Sequence, residues 1–435
     1  MSAKTTTINR FTSYQKIVIV LLAVVQFTIV LDFMVMAPLG DLLMKSMHLS
    51  AAQFASAVSA YAFSAGVSGI LAAGFADKYD RKKLLIVFYV GFSAGTAVCA
   101  TATTFPVLLV GRIVTGLFSG VLGASAMAII ADLFSFDERG RVIGFTQMSF
   151  AVSQVAGIPI GIYLANQFNW HAPFAMIVVF SLLTLAFTIY FLKPVTRHLG
   201  QREKQNPLAH LQKTLNNRIY RLPFLATALL SIGGFMLMPF STPFMINNVG
   251  VSQTQLPLIY VIMGTCTMVT LPMIGKLSDR YGKFATFIAG TILAMIMVVV
   301  FTNLNRVPLP EVIVISALMF AGVMSRIIPS TALMTAVPAK DDRGAFMSIT
   351  SSLQQIAGGV AAVIAGWVIF QEHDGKLLHF NILGYLCISI MVVCGFLMYF
   401  INKRVLGKIH YQQTEKDRIG GLARNLKQRT NEGLA

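Results

Sequence analysis

Charge is what this sequence has least of. Asp, Glu, Lys and Arg together make 12% of 435 residues, while hydrophobic side chains make 56%. A soluble domain has no core large enough to hide that much apolar surface, so the composition argues against one. Cysteine is also scarce. The four, Cys99, Cys266, Cys387 and Cys394, all fall in apolar runs with no metal-type spacing, which speaks against a disulfide framework and against a zinc site. A phosphate-binding Gly-Lys-Ser/Thr loop, a His-Glu-x-x-His pair and a dinucleotide-binding glycine pattern are all missing, so neither an ATP-driven pump nor a metalloenzyme has support and no cofactor is expected. GFSAG at 91–95 matches the hydrolase elbow pattern, yet no strand precedes it and its surroundings are apolar. It reads as small-residue packing, and the chain is not expected to be an enzyme.

What the sequence has instead is long apolar runs. A bilayer-spanning helix needs about 20 mostly apolar residues, because every backbone polar group must be bonded inside the segment. Twelve runs qualify, at 17–39, 53–75, 84–104, 106–134, 142–165, 172–192, 222–246, 255–277, 284–303, 311–337, 345–370 and 378–402. The leader MSAKTTTINRFTSYQK is basic and polar, and no small-residue cleavage site follows it, so the first run is expected to stay as an uncleaved helix.

A net charge of +17 raises nucleic acid as a partner, and the placement of the basic residues decides against it. With the amino terminus inside, cytoplasmic segments hold 29 of the 34 Lys and Arg, and the outer loops hold Lys45, Arg306 and Lys376. That asymmetry is a topology signal and predicts both termini in the cytoplasm. The last two, Arg112 and Arg326, fall inside spans. The basic run from Lys403 to Arg429 is expected to meet solvent or lipid headgroups.

KPVTRHLGQREKQNPLAHLQKTLNNRIYR at 193–221 is the one long polar interruption, and it divides the helices six and six. The predicted parts are a bundle at 1–192, a linker at 193–221, a second bundle at 222–402 and a basic tail at 403–435. The halves echo each other. GFADKYDRKKLL (74–85) follows the second helix and GKLSDRYGKFAT (275–286) the eighth, with Asp77 and Asp279 202 positions apart. FDERGRVIGF (136–145) and KDDRGAFMSI (340–349) set Arg139 and Arg343 204 apart. Two matches at nearly one offset indicate an internal repeat, and parallel six-helix repeats around a midplane site are one layout of secondary transporters.

These residues also carry a family resemblance. Along nearly its whole length the chain resembles the major facilitator superfamily, and within it the twelve-helix, proton-linked drug and sugar efflux branch. The resemblance implies an all-α integral membrane protein, twelve transmembrane helices in two pseudo-symmetric six-helix bundles, in a bacterial cytoplasmic (inner) membrane. In the family the loop after the second helix, and again after the eighth, has the pattern Gly-x-Leu-x-Asp-Arg-x-Gly-Arg-Lys. The second copy fits with Gly275, Asp279, Arg280, Gly282 and Lys283. The first departs from it, with Ala73 at the Gly position, Gly74 beside it and Asp80 at the second Gly, while Asp77, Lys78, Arg81 and Lys82 remain. The resemblance implies a latch between bundles while the cavity faces outward, joined by Asp132 at the inner end of the fourth helix. Arg112, Gly116 and Gly120 share one face at spacings of four, and Arg112 with Gly116 resembles the family's Arg-x-x-x-Gly motif. In the fifth helix, Gly157, Pro159 and Gly161 resemble a variant of the family's antiporter motif; since the adjacent Gly-Pro is absent, they support transport more firmly than antiport.

Of the 17 acids, Asp32 alone lies well inside a span. A charge at helix centre costs about 2.5–3.5 kcal/mol on insertion scales, so it is expected to find a partner or a cavity. Asp32 is seven residues from Leu39 and Arg112 six from Pro106. At 1.5 Å per residue both lie about 10 Å below the outer surface, and the resemblance sets their two helices side by side. Burial disfavours the charged carboxylate and the guanidinium favours it, so a cavity that opens and closes changes both and lets Asp32 take up and release a proton. The alternative is a permanent structural bridge. Arg326 is expected to face the substrate, or else to be satisfied by carbonyls at the break by Pro329. Phe235, Met236, Phe240 and Phe244 around the prolines of the seventh helix are expected to line a greasy, adaptable cavity, with Gln26, Gln147, Gln154, Gln354 and Gln355 as candidate polar contacts. The reading is a monomeric transporter of small organic molecules coupled to protons. Import or exchange of organic anions, and a ligand sensor that moves nothing, are the alternatives.

Overall fold

A computed structural model describes residues 11–196, 199, 207–339, 342–372 and 374–432. Most of the leader, the linker residues 197, 198 and 200–206, Lys340 and Asp341 of the second repeat motif and the last three residues of the tail lie outside the described residues. The first half holds α1 (Ser13–Val35), α2 (Gly40–Ser46), α3 (Ala51–Phe75), α4 (Arg81–Ala100), α5 (Phe105–Leu133), α6 (Phe136–Val152), α7 (Ile158–Gln167) and α8 (Ala172–Phe191). After α9 (Pro207–Asn216) the second half holds α10 (Arg218–Phe235), α11 (Met238–Phe244), α12 (Leu256–Tyr281), α13 (Lys283–Thr302), α14 (Leu309–Thr335), α15 (Arg343–Val368) and α16 (Phe380–Glu432). A two-residue hairpin, β1 (Phe370–Gln371) and β2 (Leu377–Leu378), precedes α16.

Among the described residues twelve helical stretches are long and apolar enough to cross a membrane. Their starts follow from local chemistry. Thr12 with Gln15, Ser50 with Gln53 and Ser135 with Glu138 form capping boxes, which satisfy backbone donors that the first turn leaves open. Pro106, Pro173, Pro257 and Pro310 sit in the first turns of α5, α8, α12 and α14, where a missing N–H costs nothing.

Four predicted runs differ in detail, three of them through proline. The first helix ends at Val35 rather than 39, because Pro38 follows, and α2 forms as a separate piece. The fifth widens into a π segment at Ser153–Gly157, just ahead of Pro159. The seventh breaks between Phe235 and Met238, ahead of Pro239, and ends in a π turn at Met245–Val249 after Pro243. The last helix does not stop at 402 but continues to Glu432. Residues 403–432 contain no proline, and their eight Lys and Arg favour a helix that continues through Gly407, Gly420 and Gly421.

The repeat is visible in the neighbours each helix keeps. In the first half α5 packs on α3 and α4, α8 on α4 and α1, and α6 on α1; in the second half α14 packs on α12 and α13, α16 on α13 and α10, and α15 on α10. These are the same pairings with the order of spans preserved. The two halves meet along α3 with α15, and along α12 with α6, the π segment and α7. Glycine makes the first seam possible: a Cβ on Gly66 would stand 2.5 Å from Cγ1 of Ile356 and 2.9 Å from the Ser352 carbonyl. Twelve spans return the chain to the side on which it started, here the terminal face; α2 and the hairpin lie at the opposite face.

Candidate functional site

Asp32 near the end of α1 and Arg112 near the start of α5 meet with both side chains fully buried. Nη1 of Arg112 donates to Oδ2 of Asp32 at 2.8 Å and to the Asp32 carbonyl at 3.3 Å. Thr96 of α4, which sequence reasoning missed, donates to the other carboxylate oxygen at 3.3 Å. Nε and Nη2 of Arg112 have no hydrogen-bond partner. Close approach of the helices sets this geometry. Gly116, one turn beyond Arg112, abuts the Tyr61 backbone with no room for a Cβ; Gly157 at the end of the π segment meets Leu31, next to Asp32, and Gly161 of α7 meets Val35. Pro159 between them is buried as well.

Aromatic rings connect this closed pair to the seam between halves. The Arg112 guanidinium lies 4.4 Å from the ring centre of Tyr61 on α3, an attraction that strengthens when water is absent. Tyr61 packs on Phe33 at 5.6 Å, and Phe33 meets Phe235 of α10 edge-on at 5.9 Å. Phe235 is half-buried and rests against Gly358 of α15. Of the predicted lining residues, Phe235 thus stands at the seam.

The other predicted lining residues lie elsewhere. Phe244 stacks on Phe380 at 4.1 Å and packs on Phe301, inside the second half. Phe240 is fully buried against Phe54 of α3, and Met236 is fully buried. Gln26, Gln354 and Gln355 are half-buried, Gln154 is buried and Gln147 is exposed. Arg326 does not face open space. It is 1% exposed, its guanidinium 5.9 Å from the Phe287 ring of α13, with Gly233 of α10 and with Cys387 and Cys394 of α16 beside it. Nε and Nη2 find no partner, and no carboxylate pairs with it among the described residues. A groove of about 620 Å³ between α13 and α16, lined by Phe284, Ile288, Met295, Phe396 and Tyr399, contains none of the predicted site residues.

At the terminal face the two copies of the loop motif differ. Gly74 ends α3 half-buried, Asp77 falls in the turn Ala76–Lys78 with its side-chain surroundings outside the described residues, and Lys78 is exposed. Arg81 is 5% exposed and donates to Asp132 at 3.3 Å and to the Ala76 carbonyl at 2.9 Å. Asp80, at the motif's second Gly, caps α4 and accepts from the Val195 amide at 2.9 Å, tying the loop to the start of the linker. In the second copy Gly282 adopts φ 94, a conformation that favours glycine. Gly275 is half-buried there, while Asp279, Arg280 and Lys283 are exposed and form no ion pair among the described residues.

At the opposite face stands a polar cluster that sequence reasoning passed over. Asp41 of α2, Lys45, Asn247 and Gln253 bond to one another, and Asn166 of α7 donates to the Gln253 carbonyl at 2.9 Å. The available signal was an acid and a Lys four apart in the otherwise apolar GDLLMKS.

Comparison with known proteins decides the family. The family model described as Major Facilitator Superfamily matches residues 22–230 and again 223–418, once per half. The chain belongs to the major facilitator superfamily. As a facilitator it is a transporter rather than an enzyme, and a multi-pass membrane protein. It is 28% identical over 235 residues to the chloramphenicol resistance protein of Streptomyces lividans, 54% of this chain and 60% of that one. It is 23% identical over 298 residues to multidrug resistance protein 2 of Bacillus subtilis, covering 66% and 74%. Among solved structures, a bacterial homologue of the human lysosomal transporter Spinster, inward-facing and unoccupied, superposes with a TM-score of 0.72 at 15% identity, over 92% of this chain and 99% of that one. A D-xylose–proton symporter gives 0.69 at 15% identity, over 88% and 97%. These two likenesses concern the facilitator fold alone.

Proposed function

We propose that this facilitator exports small organic molecules by alternating access in exchange for protons, with Asp32 as the titrating group and Arg112 as its fixed counter-charge. The observation that carries the reading is the fully buried pair, joined at 2.8 Å between two helices of the first half. A carboxylate held there by one guanidinium can change protonation when the helices shift, because both the burial and the charge contact change. The guanidinium keeps its proton throughout. Relatives named for chloramphenicol and multidrug resistance support export of drug-like compounds. Phe235 and Phe33 at the seam supply an apolar contact for such a substrate, and the aromatic chain to Tyr61 carries its effect to Arg112.

The proposal includes a bacterial cytoplasmic membrane with the terminal face inside, bundles at 1–192 and 222–402 joined by the linker 193–221, and a monomer as the working unit. The loop motifs act as a latch on the terminal face. Asp279 and Arg280 are exposed and form no ion pair among the described residues, while the halves are bonded at the opposite face. One observation favours a second reading, proton-coupled import or exchange of organic anions: Arg326 is a buried cation with no acid paired to it among the described residues.

Flux into inside-out and right-side-out vesicles under an imposed proton gradient separates the readings. Export driven by the gradient is expected, and Asp32→Asn is expected to abolish driven flux while leaving substrate binding or exchange. Full proton-driven export by Asp32→Asn would remove Asp32 from the coupling role.

A further inference from the structure

The groove of about 620 Å³ between α13 and α16 has a length that fits the bilayer. Its α13 wall runs from Phe284 to Met295, and its α16 wall from Phe400 back to Met391. At 1.5 Å per residue the walls are about 16 and 14 Å long, half of a hydrocarbon core about 30 Å thick. The groove starts at the terminal face, where the Phe284 and Tyr399 rings meet at 5.9 Å, and reaches mid-membrane. It is as deep as one leaflet. An added Cβ on Gly395 would find no atom within 4 Å, and Val392, Phe396 and Phe400 are exposed along the same wall.

The mouth of the groove is basic. Lys283 opens α13 directly before Phe284, and Lys403 stands one turn beyond Tyr399 on the same face of α16, with Arg404 next to it. All three are exposed, and their side chains have no hydrogen bond or ion pair among the described residues. Asp279 is the one acid in the preceding loop, and α16 carries none from Phe380 to Thr414. The α13 amino terminus adds open backbone amides at the same place, since Gly282 has no side chain to cap them. The first half is built differently here. Lys82 holds the place in α4 that Phe284 holds in α13, and its Nζ donates to the Ile189 carbonyl near the end of α8 at 2.8 Å. That lysine ties its two helices together, whereas in the second half a ring takes the position and Lys283 beside it is left unpartnered.

We propose that the groove binds an anionic phospholipid of the terminal-face leaflet, one acyl chain lying between α13 and α16 and the phosphate held by Lys283 and Lys403. The two parts of the site match the two ends of such a molecule: apolar walls over the depth of a leaflet, and free cations at headgroup level. A zwitterionic lipid fits the walls equally and gains less at the mouth, because its own cation opposes the lysines.

Native mass spectrometry of the full-length protein, titrated in detergent with phosphatidylglycerol or with phosphatidylcholine of the same acyl chains, tests this. One phosphatidylglycerol is expected to bind about tenfold more tightly than phosphatidylcholine, from two lysines close to one phosphate. Lys283→Gln with Lys403→Gln is expected to bring the two lipids level. Lys16→Gln with Lys83→Gln removes the same charge from exposed positions at the terminal face of the first half and is expected to leave the preference in place. Gly395→Trp fills the groove where a side chain has room and is expected to weaken both lipids. Equal affinities in the wild type, a preference that survives Lys283→Gln with Lys403→Gln, one that falls as far in the Lys16 and Lys83 control, or binding untouched by Gly395→Trp overturns the site. A dimer peak that Gly395→Trp removes would give the groove to a second copy of the protein and overturn it as well.

Discussion

Arg112 commits one nitrogen, Nη1, to Asp32 at 2.8 Å and leaves Nε and Nη2 without partners. A buried bridge made for rigidity alone would use both arms of the guanidinium, since bidentate geometry is the stronger form. This pair is held at one end, so a small shift of α1 against α5 can part it.

Stability of the pair's variants should be asymmetric. Arg112→Leu leaves a buried carboxylate with only Thr96, and a loss of about 3–5 kcal/mol is expected. Replacing both partners with leucine should recover most of it, since no charge is then stranded. Thermal unfolding in detergent, compared across the two single variants and the double one, measures this.

Tyr61 should matter through its ring more than through its hydroxyl. Tyr61→Phe keeps the face over Arg112 and should transport nearly as wild type. Tyr61→Leu removes an attraction worth up to about 2 kcal/mol in a dry site and should lower proton-driven flux. Initial rates at saturating substrate distinguish the two.

Arg326→Met should leave the protein as stable as before or more so. The substitution removes a buried cation whose Nε and Nη2 lack partners, and apolar replacement of buried charge is often neutral or stabilising. Thermal unfolding checks this, and a parallel flux assay with neutral and anionic compounds shows whether the cation serves the substrate. Loss confined to the anions would favour the second functional reading.

Gly116→Val and Gly66→Val should fail in different ways. Gly116 abuts the Tyr61 backbone inside the first half, so a side chain there forces α5 off α3 and should prevent a monodisperse protein on size exclusion. Gly66 faces Ile356 between the halves. Its variant should fold and run as a single peak, yet transport slowly.

The twelve spans were legible because bilayer thickness sets the length of an apolar run, and the observed limits mostly lie within a few residues of those read from sequence. The Asp32 and Arg112 contact was legible for a related reason: few charges survive inside spans, so those present constrain one another. Rotation about a helix axis was not legible. When every face of a helix is apolar, composition does not say which one meets a neighbour, and Arg326 and Phe244 accordingly lie inside the second half instead of at the seam. Asp41 was hidden by its place after the first span, where an acid reads as solvated loop. Its burial comes from Asn247 and Gln253, more than 200 positions away, which no local pattern announces.

The contact between α3 and α15 is built from close backbones at Gly66, Gly69, Gly359 and Gly366, and no hydrogen bond joins these two helices among the described residues. Such a surface has dispersion to hold it and no directional bond to re-form after each movement. It therefore behaves as a bearing: turning one half over the other along this line changes little in energy. The choice between orientations is left to the polar groups at the two rims.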